Sequence, residues 1–385
     1  MAVFLDLSKA FDSISHNILL TKLERLGIRG TPKQWFESYL SNRKQYMELY
    51  KIKSQTASIK CGVPQGSILG PILFLVYVND IFNASELDTF CFADDTTVTY
   101  SSPNTNDLYN TMNRELYRLS QWFKANRLKL NINKTKYIIF SPSSHVQPND
   151  NSLTVENMTI ERIGHHEQNK YFKFLGLYID ETLSWKYHIN MLCKRIAHSN
   201  YLINKLKNLV PRRCLLTLYY SLVQCHINYG LLIWGSSTNV NRVHKMQKKS
   251  LRIINNKPYN YHTEPLFKCC KILKVQDQYI VNSTVFMYKL KHHKHPKSFD
   301  PLMHDYFGPR SRITRQNNNA IQKRARTKFS SLLPYHKLPM IWNSLSVNLT
   351  SSEKLNNLKK LLITDILDNY AENIKCNNTY CRQCF

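Results

Sequence analysis

Two places in the chain set carboxylates where they could hold hard divalent cations. Asp6 ends the apolar run Ala2-Val-Phe-Leu, and Asp94-Asp95 closes Phe92-Ala-Asp-Asp95 between two short runs of strand-forming residues. Mg²⁺ takes oxygen ligands and is commonly held by one or two carboxylates together with substrate phosphates. If the strand before Asp6 pairs centrally with the hairpin around Asp94, these carboxylates project at one sheet edge. A cation pair about 4 Å apart at that edge stabilises the attacking and leaving oxygens of an in-line phosphoryl transfer. An isolated Asp-Asp pair on a turn is ordinarily a solvated turn, so the reading depends on what lies between. There the chain carries Gly62-Val-Pro-Gln-Gly-Ser-Ile-Leu-Gly-Pro71. Its glycines let backbone approach a ligand closely, and Gln65 offers an amide either to a base or sugar or to the fold itself.

The elements that must hold these residues follow from periodicity. Ala2 to Leu7 fits a buried strand with a polar tip. His16 to Leu26 predicts a helix with Leu19, Leu20, Leu23 and Leu26 on one face, stopping at Gly27. Thr31-Pro32 opens a second helix carrying Trp35, Phe36, Tyr39 and Leu40. Asp12 reads as a cap on the helix that follows it. Runs at 44–52 and 55–60 predict a hairpin. Ile68 to Phe82 predicts a largely buried helix, Thr89 to Tyr100 two short strands, and Asp107 to Arg127 an amphipathic helix with Leu108, Met112, Leu116, Leu119 and Phe123 inward. Ser141 to Gln168, rich in Ser, Asn and Pro, reads as a loop or insertion. Strand returns over Tyr171 to Asp180, helices are expected over Ser184 to Leu209 and Cys214 to Trp234, and partial disorder over 291–328.

In order and spacing, Phe4-Leu-Asp-Leu-Ser-Lys-Ala-Phe-Asp12, Gly62 to Pro71 and Phe92-Ala-Asp-Asp95 resemble motifs A, B and C of reverse transcriptases. The closest likeness is to LINE-type, jockey-like non-long-terminal-repeat retrotransposons. The resemblance implies an α/β (α+β) fold: a right-hand polymerase palm with an antiparallel sheet, followed by a helical, basic, thumb-like region. It implies an RNA-directed DNA polymerase using two Mg²⁺ ions, with Mn²⁺ as the alternative. Asp6 and Asp94 would bridge the metals, the Leu7 carbonyl would assist, and Asp95 would support the second ion or the primer end. Phe11, five residues after Asp6, takes the steric-gate position, where a ring beneath the sugar rejects a 2′-hydroxyl; core packing is its other use. Gln65 and Gly66 fall at the incoming nucleotide. Asn131-Ile-Asn-Lys-Thr-Lys136 resembles motif D, with Lys134 first and Lys136 second as the acid that protonates pyrophosphate. Phe174, Leu175 and Gly176 resemble motif E, the primer grip. The implied partners are an RNA template, a DNA primer, their heteroduplex and deoxynucleoside triphosphates.

The same resemblance divides the chain into a palm over 1–140, a loop and primer-grip strands over 141–180, a basic helical thumb or connection over 181–290, and a basic, partly disordered region with a cysteine tail over 291–385. It begins at motif A, so the fingers and endonuclease of such elements fall outside the sequence, and these 385 residues alone are expected to extend a primer at background level. The alternative to a polymerase is a truncated, inactive remnant that only binds nucleic acid.

Charge points the same way. Lys and Arg number 53 against 26 Asp and Glu, a net +27, which favours a polyanionic partner. Residues 1–140 hold 17 basic and 12 acidic residues, a net +5; residues 141–385 hold 36 and 14, a net +22. Between Thr182 and Thr263 there are 13 Lys or Arg and no acid, including Lys194, Arg195, Arg212, Arg213, Lys248 and Lys249, which suit a nucleic-acid backbone. Hydrophobic residues at 43% exclude a wholly disordered chain. The longest apolar stretch, Ile68 to Val78, is broken by Gly70-Pro71 and falls short of the roughly 20 residues a bilayer needs, so no membrane partner is expected. Asp6 interrupts the opening run, which argues against a secretory leader. The ten cysteines read as reduced intracellular thiols, and localisation is expected in cytoplasm and nucleus as a ribonucleoprotein. Cys376, Cys381 and Cys384 supply three thiols where structural zinc takes four ligands, so zinc is not expected.

Overall fold

The computed structural model describes residues 1–140, 152–164, 170–309 and 319–370. The chain divides into two compact units: Met1–Phe172 with Asp180–Thr182, and Lys173–Ile179 with the chain from Leu183 onward. Helix and sheet are mixed in the first, and helices dominate the second.

The first unit opens with β1 (Ala2–Leu5), buried along its whole length, then α1 (His16–Arg25) and α2 (Thr31–Leu40). Leu19 and Leu23 of α1 are buried, whereas Leu26 lies beyond its last turn and is exposed. Strands β2 (Lys44–Gln45), β3 (Glu48–Leu49), β4 (Ile52–Lys53) and β5 (Ala57–Ser58) form the expected hairpin. Its turn is Tyr50-Lys51, both at positive φ, a few residues before the break seen in the sequence pattern. Next come α3 (Leu69–Val78), extended by a 3₁₀ turn over Asn79–Asn83, then β6 (Asp88–Phe92), β7 (Asp95–Thr99) and α4 (Thr105–Ala125). The Asn104 side chain accepts from Asn106 N and caps α4. The unit continues with β8 (Lys136–Ile138), β9 (Thr154–Val155), β10 (Met158–Thr159) and β11 (Glu161–Ile163).

Five strands form one sheet in the order β11-β8-β1-β7-β6. A strand inside a sheet with both faces covered reads as a continuous apolar run, which is what Ala2 to Leu5 shows. β1 is antiparallel to both neighbours, with Leu5 opposite Thr96 and Ala2 opposite Ile138. Two expectations are corrected. The sheet is not wholly antiparallel, because β11 runs parallel to β8. The segment read as loop contributes three short strands, and Leu153, Val155 and Ile160 are buried in the core. Strands of two or three residues are too short to announce themselves by periodicity. The remainder of that segment, 141–151 and 165–168, lies outside the described residues.

Val3 and Leu5 share a core with Leu73, Phe74 and Tyr77 of α3 and with Leu108, Met112, Leu116, Leu119 and Phe123 of α4. The same stripe of α4 carries a residue that the apolar pattern passed over. Glu115 is fully buried and accepts from Ser85 Oγ and Glu86 N, each at 3.1 Å, and from Arg114 and Arg118, each at 3.0 Å. It thereby pins the segment that leads into β6. Burial works against its charge, but the Glu86 N–H, Arg114, the Ser85 hydroxyl and Arg118 together hold its carboxyl below the ordinary glutamate value. Stability from this network is therefore present above the unfolded value and is lost as pH falls through the lowered folded value. Glu115→Ala should cost about 1–3 kcal/mol in a urea titration, with a flattened acid limb. An unchanged midpoint would mean that the network holds nothing in place.

β12 (Phe172–Phe174), whose first residue closes the first unit, and β13 (Leu177–Ile179) form a two-stranded ladder. Helices follow: α5 (Lys186–Leu206), α6 (Arg212–Tyr219), a π-helical turn over Tyr220–Gln224, α7 (Cys225–Asn228), α8 (Leu231–Trp234), α9 (Val240–Ile254), α10 (Glu264–Cys270) and α11 (Val275–Lys291). α5 and α9 pack together, and Ile189, Leu192, Ile196, Val243 and Leu251 belong to one core. The single helix expected over 214–234 is broken at Tyr229-Gly230. Gly230 stands at φ 62°, and a Cβ there would meet Leu177 Cδ2 at 2.9 Å, so the helix cannot continue in register. Disorder expected over 291–328 is corrected at Asp300–Phe307, which is helical with Met303 and Tyr306 buried; residues 310–318 lie outside the described residues. So do Cys376, Cys381 and Cys384. Among the described residues, no helix is long and apolar enough to cross a membrane.

Candidate active site

β6 and β7 close on the two-residue turn Ala93-Asp94, with Phe92 opposite Asp95 and Ala93 at φ 53°. Because Leu5 stands opposite Thr96, Asp6 and Asp95 are the next residues on their strands, at one end of the ladder. Asp6 is half-buried, while Asp94 and Asp95 are exposed. The Asp95 carboxyl is held above the ordinary aspartate value, first by partial burial and then by the negative charges of Asp94 and Asp6. Asp95 thus lies within electrostatic reach of both Asp94 and Asp6. Among the described residues, no three His, Cys, Asp or Glu side chains converge as a ready-made metal cage. Mg²⁺ does not need one: it keeps several waters and takes substrate phosphates alongside one or two carboxylates. The hard-oxygen donor set at this sheet end fits such an ion.

The backbone at Asp6 is fixed from behind. Asn131 N donates to Asp6 O and Ser8 N to Lys129 O, each at 2.8 Å, closing a bridge centred on Leu7 and Leu130. Asp6 N donates to Thr135 Oγ1 at 3.3 Å, and Thr135 Oγ1 donates to Asn131 O at 3.0 Å. The bridge uses residues 6 and 8, so the Leu7 carbonyl faces the other way, toward the strand that carries Asp95. The Asn131–Thr135 segment is therefore a buttress for Asp6, a role that the sequence reading did not assign. Its signal was a Thr beside the exposed Asn133-Lys134 pair. Lys134 is exposed on this turn. Lys136, the second choice as an acid, is engaged with Glu161 across β8 and β11.

The glycine-rich loop docks on the turn after Asp6. Gly62 N donates to Ile14 O at 2.7 Å, Val63 N to Phe11 O at 2.9 Å, and His16 Nε2 to Gly62 O at 2.8 Å. Gln65 Nε2 donates to Asp12 Oδ1 at 3.0 Å. Asp12 therefore does not cap the next helix: Ser15 occupies that position, and the Asp12 carboxylate serves Gln65. Phe11 is half-buried and stacks on Phe74 at 4.6 Å, so it packs against the core. Gly66 is exposed at φ 82°. At Gly62, φ 89° and an added Cβ only 2.8 Å from Asp12 Cα both require glycine. Gly62→Ala should destabilise the fold by about 1–3 kcal/mol and free the Gln65 amide. Thermal melts and the side-chain amide resonance of Gln65 would check this; an unshifted Tm would show that the loop does not depend on that close approach.

Phe174, Leu175 and Gly176 belong to the second unit. Leu175 and Gly176, at φ 43° and 81°, form the two-residue turn between β12 and β13. Tyr229 Oη donates to the Leu175 carbonyl, and a Cβ on Gly176 would lie 3.2 Å from the Tyr229 ring. Lys194 and Arg195 are exposed on α5, Arg213 on α6 and Lys249 on α9, while Lys248 is half-buried. Arg212 is engaged within the fold, donating to Asn255 Oδ1 at 3.0 Å and Cys270 Sγ at 3.1 Å.

Residues 1–179 match the family model described as reverse transcriptase (RNA-dependent DNA polymerase). The chain is 25% identical over 308 residues to a probable RNA-directed DNA polymerase from transposon X-element of Drosophila melanogaster, covering 76% of this chain and 32% of the relative. It is 26% identical over 310 residues to the RNA-directed DNA polymerase from mobile element jockey of the same organism, covering 76% and 32%. Over 182 residues it is 24% identical to a retrovirus-related Pol polyprotein from type-1 retrotransposable element R2 of Nasonia vitripennis, covering 43% and 17%. The chain thus spans about a third of the length of the first two relatives.

Proposed function

Residues 1–179 belong to the reverse transcriptase family, and from that premise we propose that they are the palm of an RNA-directed DNA polymerase of a jockey-like non-long-terminal-repeat retrotransposon. The observation that carries the reading is the register that sets Asp6 and Asp95 at one end of the β1–β7–β6 sheet, beside the Ala93-Asp94 turn. Bound Mg²⁺ supplies charge neutralisation for the triphosphate and for the attacking primer oxygen. The residues of the chain do the rest. Asp6 and Asp94 would hold the ions, with the Leu7 carbonyl and Asp95 as further oxygen donors. Lys134 delivers a proton to the leaving pyrophosphate. Phe11, kept in place by Phe74, leaves no room for a 2′-hydroxyl, and Gln65 and Gly66 border the incoming nucleotide.

The second unit acts as the thumb. Phe174, Leu175 and Gly176 grip the primer end, and Lys194, Arg195, Arg213, Lys248 and Lys249 track the phosphates of an RNA–DNA heteroduplex without reading its sequence. Such an enzyme works within a ribonucleoprotein in cytoplasm and nucleus. A primer-extension assay on the chain joined in frame to a fingers segment tests the reading: with an RNA template, DNA primer and deoxynucleotides, incorporation should require Mg²⁺ or Mn²⁺ and should fall at least about tenfold when ribonucleotides are supplied instead. Incorporation without any divalent ion would overturn it.

A further inference from the structure

The hairpin of β2 to β5 exposes every residue of its four strands. Its aromatic and aliphatic residues are exposed with the rest: Tyr46 51%, Met47 74%, Leu49 66%, Tyr50 91% and Ile52 77%. The ladder sorts them. Leu49 stands opposite Ile52 on one face, and Glu48 opposite Lys53 on the other, where the Lys53 ammonium lies 5.0 Å from the Tyr46 ring. Tyr50 occupies the turn. At the base of the hairpin, the Arg43 guanidinium lies 5.7 Å from the Tyr39 ring, which stacks on the exposed Trp35 at 5.5 Å and 8°. Between residues 41 and 60 there are five basic residues, Arg43, Lys44, Lys51, Lys53 and Lys60, and one acid, Glu48.

Exposed apolar residues gathered in this way mark a binding surface. A protein partner would match the apolar face but would have to neutralise the surrounding cations. An unpaired nucleic-acid strand meets both demands at once, because each base offers a flat apolar face on an anionic chain. A duplex would not, because its base faces are already stacked. We propose that the hairpin spanning residues 43–60, with the Arg43–Tyr39–Trp35 stack at its base, binds a single strand of nucleic acid. Tyr46 and Tyr50 stack on bases, and Lys44, Lys51 and Lys60 touch phosphates. The proposal deepens the polymerase reading by giving the unpaired part of the template a surface, yet it rests on residues outside the carboxylate site.

The probe is a 12-nucleotide RNA carrying 2-aminopurine, titrated with the 385-residue chain in EDTA, so that no divalent site takes part. Stacking quenches the fluorophore, and anisotropy of a labelled copy gives affinity. Tyr46→Ala/Tyr50→Ala should lose the quench and weaken binding by about tenfold or more, whereas Tyr46→Phe/Tyr50→Phe should keep both. Because the titration is run in EDTA, loss of the quench reports on the hairpin and not on the metal site. Both side chains are exposed, and circular dichroism would confirm that the variants fold. If the alanine pair retains quench and affinity within about twofold, the proposal is overturned. It is equally overturned if that pair binds RNA normally but loses self-association by sedimentation, which would make the hairpin an interface between copies of the chain.

Discussion

In the chain joined in frame to a fingers segment, Asp94→Asn should lower Mg²⁺-dependent incorporation of deoxynucleotides by at least about 10²–10³-fold, the cost of removing one electrostatic group from an active site. The amide keeps the size of the side chain and leaves the Ala93-Asp94 turn intact, so only charge and ligand strength change. Asp95→Asn should behave differently in the absence of substrate. Its carboxyl is raised by partial burial and by Asp94 and Asp6. A carboxyl with a raised folded value contributes stability below its unfolded value and loses that contribution as pH rises through the folded value. At neutral pH the charge on Asp95 therefore works against folding, and Asp95→Asn should raise Tm without divalent ions. Mg²⁺ should raise the Tm of the wild type and do so much less for the variant, since only a site that binds the ion is stabilised by it. Equal Mg²⁺ responses in the two proteins would place the ion elsewhere.

Reversing Lys194, Arg213 and Lys249 together to Glu should weaken binding to an RNA–DNA heteroduplex by about tenfold or more and flatten its salt dependence. Each phosphate that is no longer neutralised takes about one unit of slope from the plot of log affinity against log salt. Between Thr182 and Thr263 no acid offsets these cations, so reversal also places negative charge where the backbone would lie. Arg212 is left unchanged, because its bonds to Asn255 and Cys270 join α6 to the ends of α9 and α10. Its reversal would report on folding as well as on binding. A filter-binding titration at several salt concentrations gives both numbers, and an unchanged slope would mean that these residues are merely solvated.

The parts of the site read correctly from sequence were those built on local pattern. The run Ala2 to Leu5 could only be a strand with both faces covered, and the Ala93-Asp94 turn sits between two runs of strand-forming residues. What sequence could not supply was partnership across the chain. Asp12 had the right type and place to cap a helix, but the Gln65 amide, far off in sequence, takes its carboxylate. Lys136 stood second to Lys134 as the acid, and β11 brings Glu161 beside it. Glu115 sits seven residues from Leu108 within the buried stripe of α4, and its polarity hid it from an apolar count. The strands between 154 and 163 lie in a stretch whose Ser, Asn and Pro content masks Leu153, Val155, Ile160 and Ile163. For Asp12, Lys136 and β11 the deciding partner is far off in sequence, and hydrophobic period says nothing about it.

The account stands on Asp6, Asp94 and Asp95 acting together on divalent ions. Electron paramagnetic resonance of free Mn²⁺ during titration of the purified chain tests that without requiring turnover. The signal should be depleted by the wild-type chain, restored by competing Mg²⁺, and depleted far less by the Asp6→Asn/Asp94→Asn variant, with addition of a deoxynucleoside triphosphate and primed template strengthening binding only in the wild type. Equal depletion by the wild type and the double variant, with and without nucleotide, would contradict the assignment of the metal site to this sheet edge.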